Sequence, residues 1–83
     1  MPLPVVKGKE LRRFIERRGY VLVSVKGSHF KFRRKDSKGF KIIIPIHGNE
    51  EIADGTLENI IRYLALNEGL SEDDIRRAIS DEC

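Results

Sequence analysis

The sequence has a single cysteine, no recognisable export signal and no long apolar run, and each shortage excludes a class of protein. The one thiol, Cys83, can form neither an internal disulfide framework nor a cysteine-based zinc site. The longest apolar stretch, Ile42 to Ile46, is far shorter than the ~20 residues of a membrane-spanning helix. The first residues lack the apolar central region of a secretory signal peptide. We therefore expect an intracellular, cytoplasmic protein with no membrane partner.

The chain is also short, at 83 residues. This length predicts one domain, spanning residues 1–83, and excludes a two-lobed enzyme with a deep central pocket. Apolar residues make up 40% of the chain and charged residues 35%, which is typical of a folded globular protein and not of a disordered tail.

The net charge of +3 conceals a strong asymmetry along the chain. Residues 1–41 contain thirteen Lys and Arg against three acids, a net +10, whereas residues 42–83 contain three Arg against ten acids, a net −7. A basic half of this strength is typical of a surface that faces RNA or DNA. The alternative is a solvated surface on which the charges are separated by chance.

The first half of the chain predicts a helix followed by three strands. From Lys7 to Arg18 the apolar residues are spaced i, i+3, i+4, which indicates one helical stripe. Strands are expected over residues 20–26, 28–35 and 40–46, and their short connections favour an antiparallel meander with one buried face. Alternation assigns to that face Val21, Val23, Val25, Phe30 and Phe32. The third strand does not alternate cleanly, so the face that Ile43 takes stays open.

The second half predicts two helices. Leu57, Ile60, Ile61 and Leu64 follow helical spacing, with Thr56 as the expected N-cap and Gly69 near the end. Ser71 and Asp74 resemble a capping box that begins a short final helix. The order α-β-β-β-α with a terminal helix predicts an α+β fold, in which helices cover one face of a three-stranded antiparallel sheet and leave the other face open.

On that open face the alternation places a histidine among cations. His29 would lie on the middle strand beside Lys26, Lys31 and Arg33. An imidazole can take a proton from a ribose 2′-OH and return one to a leaving group, which suits metal-free RNA cleavage to a 2′,3′-cyclic phosphate and a 5′-OH. The alternative is a surface histidine without a role.

The residues around His29 have matching candidate roles. Lys31, Arg33 and Arg34 can hold a phosphate and stabilise charge that develops on it. Gly27 permits a close backbone approach, and Ser28 can orient a phosphate oxygen. We therefore expect the RNA phosphate to be bound by six residues around His29, namely Lys26, Gly27, Ser28, Lys31, Arg33 and Arg34.

Other residues carry weaker signals. His47 is either a second acid or base or a residue that anchors its loop through a hydrogen bond. His29 and His47 with Glu50 or Glu51 have no recognised ligand spacing, so we expect no metal and no other cofactor. No Walker motif, dinucleotide fingerprint or nucleophile elbow is present.

Two groups of residues have both an RNA-binding and a structural interpretation. The arginines of the first helix either follow an RNA backbone or form its solvated face; these are Arg12, Arg13, Arg17 and Arg18. Phe30 and Phe32 can stack on bases, but their alternation out of phase with His29 favours packing in the core.

Four segments together resemble the HicA family of toxins from prokaryotic toxin–antitoxin pairs. They are Lys26-Gly-Ser-His-Phe-Lys-Phe-Arg33, Ile44-Pro-Ile-His47, Glu51 to Arg62, which includes Gly-Thr-Leu, and Gly69-Leu-Ser71. The similarity runs from about Lys7 to Ile79. The segment Tyr63 to Glu68 departs from the pattern, because it makes the second helix and its exit longer than in many compact members.

The resemblance implies a fold like that of double-stranded-RNA-binding domains and activity as a ribosome-independent mRNA interferase, that is, an endoribonuclease. It also implies a HicB antitoxin that covers the active surface. His29 would be the catalytic histidine, with Gly27 and Ser28 in its motif, while His47 matches a second histidine of open role. A non-catalytic RNA-binding module of the same fold, or a degenerate toxin that only binds its antitoxin, are the alternatives.

Overall fold

The structure, a computed structural model, describes all 83 residues. Its elements are α1 (Gly8–Arg17), β1 (Tyr20–Lys26), β2 (His29–Arg34), β3 (Ile42–Pro45), α2 (Asp54–Glu68) and α3 (Glu72–Glu82). The three strands form an antiparallel sheet in the order β1-β2-β3. This confirms the expected α-β-β-β-α order with a terminal helix. None of the helices combines the length and the apolarity needed to cross a membrane.

One hydrophobic core joins the helices to a single face of the sheet. Leu11, Phe14 and Ile15 of α1 are fully buried, as their spacing predicts. The same cluster takes in Phe32, Ile42 and Ile44 from the strands and the apolar stripes of α2 and α3. The opposite face of the sheet is open, as expected.

The prediction of a buried valine stripe on β1 is wrong. Val23 and Val25 are 45% and 49% exposed, and Val21 pairs with Arg33 on the open face. The register shifts between Leu22 and Ser24, so Val23 is the extra residue of a β-bulge. The alternation changes phase at this bulge. Before it, Leu22 lies on the core side in place of Val21; after it, Ser24 and Lys26 lie on the open face and Val25 on the core side, as predicted.

β3 is shorter than expected, and Phe40 lies outside it. Ile42 and Ile44 point into the core, whereas Ile43 pairs with Lys31 on the open face and is 46% exposed. This settles the open question about Ile43. Phe40 precedes the strand and is 51% exposed.

The helix ends bear out one cap prediction and contradict another. Asp74 N–H donates to Ser71 Oγ at 3.0 Å, which confirms the capping box that begins α3. Thr56 is not the N-cap of α2, because Ala53 takes the extended N-cap conformation without a side-chain hydrogen bond and Thr56 lies in the first turn. Gly69, with φ +65°, ends α2 as expected.

Candidate active site

A tight hairpin fixes the position of His29. β1 and β2 are joined by Gly27 and Ser28 alone, so Lys26 and His29 face each other as a cross-strand pair. Gly27 has φ +60° and Ser28 does not have a positive φ, the pattern of a type II′ turn. A Cβ on Gly27 would touch nothing within 4 Å, so the glycine is required by its backbone conformation and not by lack of space. Ser28 C=O accepts a hydrogen bond from Ile46 N–H at 2.8 Å, which ties the hairpin to the end of β3.

His29 borders a shallow hollow on the open face, which we call the sheet-face recess. Its volume is about 230 Å³, and it is lined by Ser24, Lys26, His29, Lys31 and Ile43. No carboxylate lies within 4.0 Å of either lysine nitrogen. The recess therefore combines an exposed imidazole, a hydroxyl and two ammonium groups whose charge is not neutralised by a neighbour.

His29 also borders a second hollow, the β3–α2 recess, of about 350 Å³. It lies between the free edge of β3 and the neighbouring face of α2. Lys41, Ile43 and Pro45 line it from the strand side, and Thr56, Asn59 and Tyr63 line it from the helix. His29 and Ile43 are common to both recesses, so the imidazole lies where the two meet.

The two arginines of β2 do not join this group. Arg33 is on the open face, but its Nη1 donates to Arg34 C=O at 2.9 Å and to Ser37 Oγ at 3.2 Å, so its guanidinium supports the turn before β3. Arg34 lies on the helix side of the sheet, donates to Asn67 C=O and is 3.5 Å from Asp36 Oδ2. Alternation along β2 explains this, because Arg34 is an odd number of residues from His29.

His47 lies in the loop after β3 and is separate from His29. It borders its own hollow of about 220 Å³ together with Glu50 and Glu51, and His29 does not line that hollow. Its C=O accepts a hydrogen bond from Glu50 N–H at 2.9 Å. No three His, Cys, Asp or Glu side chains come together anywhere in the chain as a set that could hold a metal ion.

The arginines of the first helix are largely engaged with carboxylates. Arg12 is 3.4 Å from Glu16, Arg17 is 3.8 Å from Glu82, and Arg18 forms a half-buried ion pair with Glu68. The hydrogen bond to Glu68 raises the pKa of Arg18 further above its ordinary value. Only Arg13 of the four has no acidic partner within 4.0 Å. The geometry favours the structural interpretation of these arginines over the RNA-tracking one.

Two exposed aromatic residues were missed by the sequence analysis. The rings of Phe40 and Tyr63 lie 5.1 Å apart at 44°, beside the β3–α2 recess, and are 51% and 36% exposed as residues. By contrast Phe32 is buried and Phe30 is half-buried, so both pack in the fold. One feature of the sequence could have indicated that Tyr63 is exposed, because the residue lies outside the apolar stripe of α2.

Comparison with known proteins identifies the family. The family model described as HicA toxin of bacterial toxin-antitoxin matches residues 8–66, more than half of the chain. The chain belongs to the HicA toxin family. Neither a curated protein nor a solved structure matches it significantly.

The HicA match covers the elements that build the site. Residues 8–66 include α1, the whole sheet and most of α2, and therefore both histidines and the lysines of the sheet-face recess; α3 lies outside it. This HicA protein is accordingly the toxin component of a toxin–antitoxin system, and an antitoxin is its partner.

Proposed function

We propose that this toxin is an endoribonuclease that cleaves mRNA without a metal or other cofactor and uses His29 as general acid and base. One observation carries the proposal: His29 is exposed at the junction of two recesses and shares one of them with Lys26 and Lys31. An acid–base group beside unneutralised ammonium groups is the minimum that phosphodiester transesterification requires.

In the proposed reaction His29 takes the proton of a ribose 2′-OH. The 2′-oxygen then forms a bond to the adjacent phosphorus, and the bond from phosphorus to the 5′-oxygen breaks. The imidazolium returns the proton to the 5′-oxygen, so the products are a 2′,3′-cyclic phosphate and a 5′-OH. Lys26 and Lys31 stabilise the negative charge that increases on the phosphoryl oxygens.

The other residues around His29 shape the hairpin, add charge or support the fold, and they take no direct part in proton transfer. Gly27 sets the turn that brings Lys26 opposite His29, and Ser28 holds that turn against β3. Arg33 adds positive charge at the margin of the open face, whereas Arg34 is a structural residue in this proposal. His47 borders a different hollow from His29, and it takes no part in the reaction proposed here.

The antitoxin is proposed to be a HicB-like protein that covers the sheet-face recess. A strongly basic face attracts an acidic partner and is occluded once that partner is bound. Occupation of the face would by itself exclude RNA from His29.

A second candidate is a non-catalytic RNA-binding protein of the same fold. The observation that favours it is that no side chain or backbone group hydrogen-bonds to the His29 imidazole in the free protein. A base without an orienting partner is less constrained in its ring position and tautomer. A degenerate toxin that retains only antitoxin binding would share this feature.

Incubation of the purified protein with a defined RNA, with and without EDTA, tests the proposal. Wild type should cut the RNA in both conditions and leave cyclic phosphate ends, and His29→Ala should cut at least 100-fold more slowly, the scale of general acid–base catalysis. His47→Ala is the matched control and should cut at nearly the wild-type rate, because His47 lies in a separate hollow.

The same variants separate the alternatives. Intact RNA with wild-type protein, or equal cleavage by His29→Ala, would refute the catalytic assignment. Salt-dependent RNA binding without cleavage would identify the binding module. Growth arrest on expression that His29→Ala relieves would exclude a degenerate toxin.

A further inference from the structure

The β3–α2 recess has the composition of a small-molecule site. Its volume of about 350 Å³ lies at the lower end of the range for ligand pockets, about 300–1,000 Å³. Its walls are apolar at Ile43, Pro45 and the ring of Tyr63, with isolated polar groups on Thr56 and Asn59. A planar group with a polar edge suits such walls better than a phosphate does, whereas the lysine-lined sheet-face recess suits a phosphate.

Phe40, the aromatic residue next to the recess, is held by hydrogen bonds between its backbone and Asn67. Asn67 clamps the backbone of Phe40: Phe40 N–H donates to Asn67 Oδ1 at 2.6 Å, and Asn67 Nδ2 donates to Phe40 C=O at 2.8 Å. Gly39 precedes it with φ +84°, and a Cβ there would lie 2.3 Å from Asn67 Oδ1. These contacts hold the backbone of Phe40, whose exposed ring lies against Tyr63 although the residue belongs to no strand.

The polar groups near Tyr63 are arranged to donate. The guanidinium of Arg62 lies 5.7 Å from the centroid of the Tyr63 ring and donates to Asn59 Oδ1. The Asn59 amide nitrogen donates to no protein group, so its two hydrogens are free for a ligand. Lys41, at the strand side, has no acidic partner within 4.0 Å. These groups favour a ligand that presents hydrogen-bond acceptors.

We propose that the β3–α2 recess binds one unstacked base of the RNA, with Tyr63 as the stacking surface and Asn59 as a donor to the base edge. This inference rests on the proposed function. In a ribonucleotide the 2′-OH lies between the base and the 3′-phosphate, so a phosphate in the sheet-face recess with its 2′-OH at His29 directs the base towards the other recess. Stacking on exposed aromatic rings is the usual way in which proteins hold single-stranded RNA bases.

Binding measurements with His29→Ala protein, which should leave the RNA intact, test the base subsite directly. The probe is a short single-stranded RNA that carries 2-aminopurine, whose fluorescence falls when it stacks on an aromatic ring. Adding Tyr63→Leu should weaken binding about 5- to 150-fold and abolish the fall in fluorescence. Leu66→Ala is the control, because Leu66 is 60% exposed on the same helix and does not line the recess.

Salt dependence distinguishes stacking from a loss of charge. Tyr63→Leu should leave the slope of log K against log salt concentration unchanged, because it removes no phosphate contact. Equal affinity and equal fluorescence for Tyr63→Leu and Leu66→Ala would overturn the base subsite. That result would leave the proposed function standing if wild type still cleaves RNA and His29→Ala does not.

An RNA substrate that lacks one base provides a second test of the base subsite. In the otherwise wild-type protein, Tyr63→Leu should slow cleavage of ordinary RNA and should have no further effect on RNA that lacks the base at the mapped cleavage position. A Tyr63→Leu effect of equal size on both RNAs would contradict the subsite. If wild type proves unable to cleave RNA, the proposed function fails and the fluorescence measurement still decides whether a base is bound.

Discussion

Successive side chains of β2 point to opposite faces of the sheet, and this decides which of its cations can meet RNA. Lys31 lies two residues from His29 and lines the same recess. Arg34 is on the other face, where it donates to Asn67 C=O and approaches Asp36. Removal of Lys31 and removal of Arg34 should therefore have different consequences, although both cations belong to β2.

At this scale we predict that Lys31→Ala and Arg34→Ala, which remove the same charge, affect different properties: the first affects RNA cleavage and the second affects stability. Lys31→Ala should slow RNA cleavage at least tenfold and leave stability nearly unchanged, because it removes a charge that has no acidic partner and lies beside the proposed reaction centre. Arg34→Ala should lower the free energy of unfolding by about 1 kcal/mol, because a half-buried carbonyl loses its donor. Urea unfolding and single-turnover cleavage measure the two effects.

Equal loss of cleavage in the two variants would show that net charge, and not position on β2, controls the reaction. The unfolding curves serve as the control, since a cleavage loss in Arg34→Ala that follows the fraction unfolded at the assay temperature is a stability effect.

At the scale of elements, the segment between β2 and β3 depends on the contact between Gly39 and Asn67. The Asn67 side chain bonds the backbone of Phe40 and also donates to Tyr20 Oη at 3.2 Å, which connects α2 to both edges of the sheet. This contact replaces the strand that the sequence pattern predicts at Phe40.

Gly19 and Gly39 provide a matched pair for testing that contact. Both have a positive φ, +92° and +84°, but a Cβ on Gly19 would touch nothing within 4 Å. Gly19→Ala should therefore destabilise the fold by about 1 kcal/mol through backbone strain alone. Gly39→Ala should cost about 2–3 kcal/mol, because Asn67 must also give up its hydrogen bonds to Phe40.

Urea unfolding of the two variants in an Asn67→Ala background completes a double-mutant cycle for each glycine. The difference between the two glycines should disappear there, because the side chain with which the new Cβ collides is gone. A difference that persists would mean that the clash is with another part of the segment.

The same elements show which features of the fold could be predicted from the sequence and which could not. Period-two alternation placed His29, Lys31, Phe30 and Phe32 on their faces because β2 has no irregularity. It failed on the first part of β1, because the extra residue at Val23 puts Val21 and Leu22 out of phase with Ser24 to Lys26, and nothing in the sequence marks a bulge among valines. Similarly Ser71 was recognisable as a cap, whereas no side-chain rule identifies Ala53.

The β3–α2 recess was beyond prediction for a different reason. Its existence depends on how far α2 lies from the edge of β3 after the connecting loop, a distance that side-chain periodicity does not encode. Periodicity identifies which residues of α2 face the core, but it does not show that Asn59 and Tyr63 approach His29.

At the scale of the whole molecule, the two oppositely charged halves of the chain meet in the fold. Arg17 and Arg18 of the basic half pair with Glu82 and Glu68 of the acidic half. The net +10 of residues 1–41 is thus partly neutralised at α1, and the lysines without acidic partners near His29 are Lys26, Lys31 and Lys41. The RNA-facing charge is smaller than the sequence suggests.

This distribution predicts the salt dependence of RNA binding. Three lysines, with Arg33 as a fourth cation, should give a slope of log K against log salt concentration of about −2 to −3 on single-stranded RNA, because each neutralised phosphate contributes about −0.7. Binding titrations of His29→Ala protein between low and moderate salt measure the slope. Lys41→Ala should reduce its magnitude by about 0.7, and Arg13→Ala, on the far helix, should leave it unchanged. A slope of about −5 or steeper that Arg13→Ala reduces would instead mean that the arginines of α1 leave their carboxylates and contact the RNA backbone.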